Sequence, residues 1–280
     1  MIYFKKTLEY LFKLEKGKRF LFLFLIALPA GFGAAITAPH HVYKQWIETF
    51  EVGNLDFLSA LMFGGTASPL RVVIAGAITI VLLLFSISVM ASVISRNLRV
   101  GVFSVNRRLL REFNEAFLPS SCAVITASIV VIVGKLLLGA MLVLFQTFSS
   151  VLIAEIMSLI ALILNIALVC YFVALGILYL PYMTFNGLRP RVALAEAVNR
   201  TGGRLTLRMF MVVFLPMLLN YIIGGLLSLA DNLIVSLVVE TVMYAISLVY
   251  LVALSFVSYY EVNELPREDY TREYFFNQYK

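Results

Sequence analysis

Six long apolar stretches divide this chain of 280 residues, and they limit the fold more than any other feature of the sequence. A helix needs about 20 apolar residues to cross the hydrocarbon core of a bilayer. Inside lipid, backbone polar groups must bond to one another, which favours helices over open sheets. We therefore predict an all-α fold, a polytopic membrane helix bundle with six transmembrane helices at about residues 20–38, 70–95, 120–145, 152–182, 209–230 and 233–260.

The composition agrees with a bilayer as the main solvent. Hydrophobic residues make up 61% of the chain and charged residues only 14%, whereas a soluble domain has about 25% charged residues. A net charge of +6 on a soluble domain would point to nucleic acid, but here the basic residues lie between the apolar stretches. We therefore expect no nucleic-acid partner.

The basic residues indicate the orientation of the chain. All but three of the 22 lysines and arginines lie in the segments that share a side with the two termini. Positively charged loops stay in the cytoplasm, so both termini are predicted to be cytoplasmic. The exceptions are two residues of the outer segments and one within a span: Lys44, Arg71 and Lys135. We treat residues 1–280 as a single membrane domain with a cytoplasmic tail at 261–280.

Two basic segments have apolar residues at helical spacing. In residues 1–19, lysines alternate with Phe4, Leu8, Leu11 and Phe12, which predicts an amphipathic helix on the inner leaflet or a plain topology signal. In residues 102–117, the apolar positions recur every four residues at Val105, Leu109, Phe113 and Phe117. This segment predicts a short interfacial helix rather than a solvated turn. Three arginines beside that stripe are candidate contacts to anionic lipid headgroups: Arg107, Arg108 and Arg111.

Two opposite charges fall inside the predicted spans. Lys135 lies about 15 Å and Glu240 about 10 Å from the outer ends of their spans, at 1.5 Å per residue. A lysine side chain can cover that difference, and an unpaired charge at such a depth is costly. We therefore predict an intramembrane ion pair between Lys135 and Glu240, either as a lock between two helices or as part of an ion path. Asn165 and Asn220 add candidate interhelical hydrogen bonds.

Enzyme motifs are absent from the sequence. There is no phosphate loop, no H-E-x-x-H and no G-x-S-x-G. The two histidines, His40 and His41, are adjacent in the outer segment 39–69, and adjacent side chains on a helix point about 100° apart, so they cannot readily share a metal ion. We expect an interfacial helix there, anchored by Trp46. Catalytic residues, cofactors and metals are not expected.

A short helix is predicted in the loop between the fourth and fifth spans. Pro190 suits a first helical turn, and Gly202-Gly203 supply an end after residue 201. Glu196 and Arg200 have the spacing of a favourable pair on one helix face. Leu194 and Val198, with Ala195, give a narrow apolar stripe for packing on membrane or protein. We regard this as a candidate cytoplasmic docking helix with four polar residues: Arg191, Glu196, Arg200 and Arg204.

The same region resembles a known family. A span ending in Tyr179-Leu180-Pro181, followed by Glu196-Ala197-Val198-Asn199-Arg200-Thr201 before the next span, resembles a broad family of six-helix bacterial membrane proteins. That family includes the membrane domain of some glycerophosphoryl diester phosphodiesterases. The resemblance implies a membrane module of the bacterial cytoplasmic membrane and brings no catalytic residues with it.

The segment is also similar to the coupling loop of ATP-binding-cassette importer permeases. The matching residues are Glu196, Ala197, Gly202 and the Leu215-Pro216 pair. This second resemblance implies a cytoplasmic ATPase subunit that docks on the loop helix. We therefore expect a non-enzymatic membrane module that engages lipid or a partner protein through its basic cytoplasmic face, with a permease subunit as the alternative. A self-sufficient carrier ranks third because few polar residues are available near the bilayer midplane.

Overall fold

The chain forms a helical bundle. The computed structural model describes residues 2–13, 17–37, 69–101, 103, 108–148, 151–228 and 233–269. Within these ranges the helices are α1 (Ile2–Leu8), α2 (Lys18–Thr37), α3 (Pro69–Val100), α4 (Arg108–Phe148), α5 (Val151–Leu175), α6 (Tyr179–Asn186), α7 (Pro190–Thr201), α8 (Arg204–Ser228) and α9 (Leu233–Val262). A π-helical turn, Glu9–Lys13, continues α1. The described ranges contain no β-strand.

Six helical segments are long and apolar enough to cross a membrane. They are Lys18–Thr37, Ile74–Val100, Phe113–Met141, Ile160–Asn186, Leu205–Gly224 and Ile234–Val262. Each overlaps one of the predicted spans, and the all-α bundle of six transmembrane helices is confirmed. The protein is therefore a multi-pass integral membrane protein.

The six spans are arranged as a ring in chain order. Helices α2, α3, α4, α5 and α8 each pack on the next one, and α9 closes the ring by packing on both α8 and α2. The pairing of α9 with α2 is the most extensive. Helix α9 also contacts α3 directly. The first, second and sixth spans, which are α2, α3 and α9, therefore all pack on one another.

Small residues let the first span approach its two neighbours closely. A Cβ atom added to Gly31 would lie 2.5 Å from the carbonyl oxygen of Thr241 on α9. On the other side, the hydroxyl of Thr79 on α3 donates to the carbonyl of Gly33 at 3.0 Å, where a Cβ would also be crowded. Close backbone approach through glycine is a typical solution for packing in lipid, where helices gain little from the hydrophobic effect.

The third span differs from the prediction. Residues 108–117 of the predicted interfacial helix begin one helix of 41 residues, Arg108–Phe148, which continues into the span. Pro119 lies inside it and removes only one backbone hydrogen bond. Residues on both sides of this proline continue the apolar helical pattern, so the helix runs through it. The described part of the predicted interfacial helix is therefore helical but not separate from the span, and residues 102 and 104–107 lie outside the described residues.

Candidate functional site

Several short elements gather at the end of the bundle that holds α1 and residues 263–269. The ammonium group of Lys6 on α1 forms an ion pair with the carboxylate of Glu261 near the end of α9. The hydroxyl of Tyr182 on α6 donates to the side chain of Asn263 at 3.3 Å. We call this end, formed by α1, α6, α7 and residues 263–269, the basic end. It is the end predicted to be cytoplasmic.

Helix α7 packs on the bundle through small side chains. Pro190 occupies its first turn, as predicted. Ala193, Ala197 and Thr201 are fully buried, and their spacing of four residues places them on one face of the helix. The sequence signal for this face is a small residue at every fourth position, which the prediction overlooked in favour of Leu194 and Val198.

The remaining surface of α7 combines apolar and basic residues. Val192 is 52% exposed, Leu194 37% and Val198 39%. Arg189 and Arg191 are also exposed. The predicted apolar stripe therefore faces away from the bundle, available to lipid or protein.

The predicted pair on α7 is formed. Arg200 Nε donates to Glu196 Oε1 at 3.0 Å, and this hydrogen bond raises the pKa of Arg200. Because the Arg200 side chain is 56% exposed, the pair contributes little to stability. Arg204 begins α8, and its side chain lies outside the part of the chain that the structure describes.

The fourth span is broken beside α7. Helix α5 ends at Leu175, a turn occupies residues 176–178, and α6 begins at Tyr179. Pro181 has no N–H to donate to the carbonyl four residues earlier, which belongs to Ile177. The predicted span at 152–182 overlaps the membrane-crossing segment Ile160–Asn186, but its helix is interrupted at this turn, beside a proline that was visible in the sequence.

An ion cluster joins the amino-terminal and carboxy-terminal segments. Arg19, at the start of α2, and Asp269 have completely buried side chains, and Arg19 Nη1 donates to Asp269 Oδ2 at 3.1 Å. Arg267 Nη2 donates to the same carboxylate oxygen at 2.9 Å. The ring of Tyr10 lies 5.1 Å from the Arg19 guanidinium and 5.7 Å from that of Arg267. We call these four residues the clasp.

The clasp fixes the start of the tail against the bundle. The backbone N–H of Glu268 donates to the carbonyl of Leu98 on α3 at 3.1 Å. Gly101 has a φ of +72°, and a Cβ there would lie 2.5 Å from the Glu268 carbonyl oxygen, so this close approach requires glycine. The first residues of the predicted tail at 261–280 are thus part of the packed fold. Sequence reasoning missed this because its partners are far apart in the chain.

The predicted ion pair between Lys135 and Glu240 is not formed. Glu240 is only 2% exposed, and its Oε1 accepts a hydrogen bond from Ser236 on the same helix at 2.9 Å. Among the described residues no ion pair joins it to Lys135, because α4 and α9 are not neighbours in the ring. The side chain of Asn220 does form a predicted interhelical bond, donating to Ser247 Oγ at 3.3 Å.

The three predicted lipid contacts and the predicted outer helix fall partly or wholly outside the described residues. Arg107 and the outer segment with His40 and His41 lie outside them, as do the side chains of Arg108 and Arg111 in the first turn of α4. Further along α4, the rings of Phe113 and Phe85 on α3 have centroids 5.7 Å apart. This part of the apolar stripe therefore packs on the second span.

The basic end contains both paired and exposed charged side chains. Lys6, Arg19 and Arg267 are in ion pairs with carboxylates, whereas Arg189 and Arg191 are exposed. Within the described ranges there is no group of three or more His, Cys, Asp or Glu side chains that could hold a metal ion. Comparisons with protein-family models, with curated proteins and with solved structures found no match for this chain.

Proposed function

We propose that this integral membrane protein is a non-enzymatic module of the bacterial cytoplasmic membrane whose basic end engages anionic lipid headgroups. The surface of α7 carries this proposal, because exposed Val192, Leu194 and Val198 lie on the same short helix as exposed Arg191, with Arg189 just before it. A helix with apolar side chains and arginines on its free surface suits the boundary between headgroups and acyl chains.

Helix α1 and its continuation support the same function. Ile2 is 62% exposed and Phe12 47% exposed, and Lys5 and Lys13 are exposed with them. Two separate elements at one end of the bundle therefore present apolar and basic groups together. Both suit an inner leaflet that carries negative charge.

Removing two arginines from α7 tests the proposal. Each basic residue near an anionic membrane surface contributes about 1 kcal/mol, so the double variant Arg189→Gln, Arg191→Gln should lose roughly tenfold or more of the preference for anionic lipid. The measurement is native mass spectrometry of the full-length protein from nanodiscs of phosphatidylcholine mixed with phosphatidylglycerol. The ratio of the two lipids retained on the protein is the readout.

The matched control is Arg71→Gln, which removes a positive charge on the side predicted to face outward. It should leave the lipid ratio unchanged. If the wild-type protein retains both lipids in their bulk ratio, or if the control lowers the ratio as much as the α7 variant, the proposal fails.

A second candidate function is a permease subunit that docks an ATPase through α7. It is favoured by the position of α7 between the fourth and fifth spans, with one side packed and the other exposed. The resemblance to the permease loop would place Glu196 at the dock, where it is now paired with Arg200. Co-purification in mild detergent tests this: an ATPase subunit retained by the wild type and lost in Glu196→Lys, Arg200→Glu would support the permease, and phospholipid alone in both would exclude it.

A further inference from the structure

Thr201, the last residue of α7, reaches the break in the fourth span. Its Oγ1 lies 2.8 Å from the carbonyl oxygen of Leu175, the last residue of α5. In a continuous helix that carbonyl would accept from the N–H of Tyr179. Here the Tyr179 N–H donates to Gly176 at 2.9 Å. The break leaves the Leu175 carbonyl without its helical donor, and the hydroxyl of Thr201 takes the place of that donor.

Three carbonyl oxygens lie within reach of the Thr201 hydroxyl, the most distant being that of Val198 at 3.4 Å. Oγ1 also lies 2.7 Å from the carbonyl oxygen of Ala197, one turn back in α7. A hydroxyl carries one proton, so it donates fully to Leu175 or to Ala197, or is shared between them. The hydrogen bond from Thr201 to Leu175 at the break therefore competes with the hydrogen bond from Thr201 to Ala197 inside α7.

The backbone carbonyl of Thr201 also accepts a hydrogen bond, from the start of α8. The hydroxyl of Thr206 in the first turn of α8 donates to the Thr201 carbonyl at 2.5 Å. Gly202 and Gly203 lie between the two threonines, and Gly203 has a φ of +74°. Thr201 is fully buried and Thr206 nearly so. One residue therefore connects α7, the broken fourth span and the start of the fifth span.

One backbone hydrogen bond at the turn 176–178 is weak. The Ile177 N–H donates to the carbonyl of Ala174 at a long distance of 3.4 Å. Pro181 cannot donate to the Ile177 carbonyl. The neighbouring backbone bonds, from Gly176 to Phe172 at 3.0 Å and from Tyr179 to Gly176 at 2.9 Å, have normal lengths. The Thr201 hydroxyl therefore adds a bond at the point where the regular helical bonding is interrupted.

We propose that Thr201 is a positioning residue that couples contact at the outer surface of α7 to the break in the fourth span. Contact that shifts α7 changes the distance from Thr201 to Leu175, and the turn at 176–178 opens or closes with it. We call this coupling between α7 and the turn at 176–178 the link. That lipid acts through the link rests on the proposed function, whereas the hydrogen bonds that form the link are part of the fold.

Hydrogen exchange of the full-length protein in nanodiscs tests the link. Thr201→Val keeps the branched shape of the side chain and removes the hydroxyl. Losing one hydrogen bond should speed exchange of the Ile177 and Tyr179 amides about three- to tenfold, and Thr201→Ser should restore the wild-type rate. The control is Thr184→Val, whose hydroxyl bonds only within α6, to the Leu180 carbonyl at 2.9 Å. The control should leave residues 176–178 unchanged.

The same measurement with and without phosphatidylglycerol separates the two proposals. Adding this lipid should change exchange at residues 176–178 in the wild type, and Thr201→Val should abolish that change while native mass spectrometry still finds the lipid bound. If the wild type shows no lipid preference, the proposed function fails, but faster exchange in Thr201→Val still supports the link. If Thr201→Val exchanges at the wild-type rate under both conditions, the link is overturned. A melting temperature within a few degrees of wild type shows that each variant is folded.

Discussion

The two ends of helix α3 are buried to very different extents. All nine residues from Met90 to Leu98 are buried at the basic end, whereas Ile74, Ile78, Val81 and Phe85 toward the other end are between 51% and 64% exposed. Helix α9 has the same asymmetry, since residues 252–260 are buried and Ile234 is 72% exposed. The same helices are therefore packed by protein at one end and present apolar side chains at the other.

The difference shows which end of the bundle depends on particular side-chain partners. Toward the exposed end, isoleucine, valine and phenylalanine need only be apolar to suit lipid. At the basic end, the clasp, α1 and α6 impose particular partners, such as the carboxylate that lies between two guanidinium groups. A change at the basic end should therefore cost more than the same change at the exposed end.

Removing the carboxylate of the clasp should have the largest effect. Asp269→Ala leaves the buried Arg19 guanidinium without its carboxylate, and breaking a buried pair costs about 3–5 kcal/mol. Thermal unfolding of the purified protein in detergent measures the loss. The triple variant Arg19→Met, Arg267→Met, Asp269→Leu should recover most of it, because the three charged side chains of the clasp are then replaced together by apolar ones.

The matched comparison for the clasp is the exposed pair on α7. Glu196→Gln removes one partner of a pair that water can reach, so the melting temperature should hardly change. Equal losses in Asp269→Ala and Glu196→Gln would contradict the view that the clasp specifies the basic end.

A side chain added to the first span should have an intermediate effect. A Cβ on Gly31 would meet the Thr241 carbonyl oxygen at 2.5 Å, so Gly31→Ala must push α2 and α9 apart and should cost about 1–3 kcal/mol. Gly76→Ala on α3 is the control, since no atom lies within 4 Å of its added Cβ. The control should be neutral or slightly stabilising because alanine favours helix. A neutral Gly31→Ala would show that close packing does not extend away from the basic end.

The features predictable from the sequence are those that depend on nearby residues. Hydropathy over about 20 residues identified all six spans, and the spacing of Glu196 and Arg200 identified their pair. Pro190 likewise marked the start of α7. Each of these signals lies within a few helical turns, where geometry is fixed by the helix itself.

The features that were missed depend on how the helices are arranged around the ring. The sequence indicates how deep Lys135 and Glu240 lie in the membrane, but it does not indicate where their helices lie in the ring. The predicted ion pair between them was therefore wrong. Arg19 and Asp269 are 250 residues apart, and no local pattern links them. The proposed site on α7 was predicted as a helix, but which of its sides is free follows only from the burial of Ala193 and Ala197.

One substitution made at both ends of α3 gives the smallest expected effect and the most direct comparison. Ile94 is fully buried and Ile78 is 55% exposed on the same helix. Removing one methyl group from a packed core costs about 0.5–1.5 kcal/mol, so Ile94→Val should lower the melting temperature measurably. Ile78→Val exchanges one lipid contact for another and should stay within about 0.5 kcal/mol of wild type. Because both variants lose the same helix propensity, the difference between them isolates packing. If both variants lower the melting temperature by the same amount, the exposed end is covered by protein in the membrane, for example by a second copy of this chain. If neither lowers it, burial of Ile94 does not contribute to stability as argued.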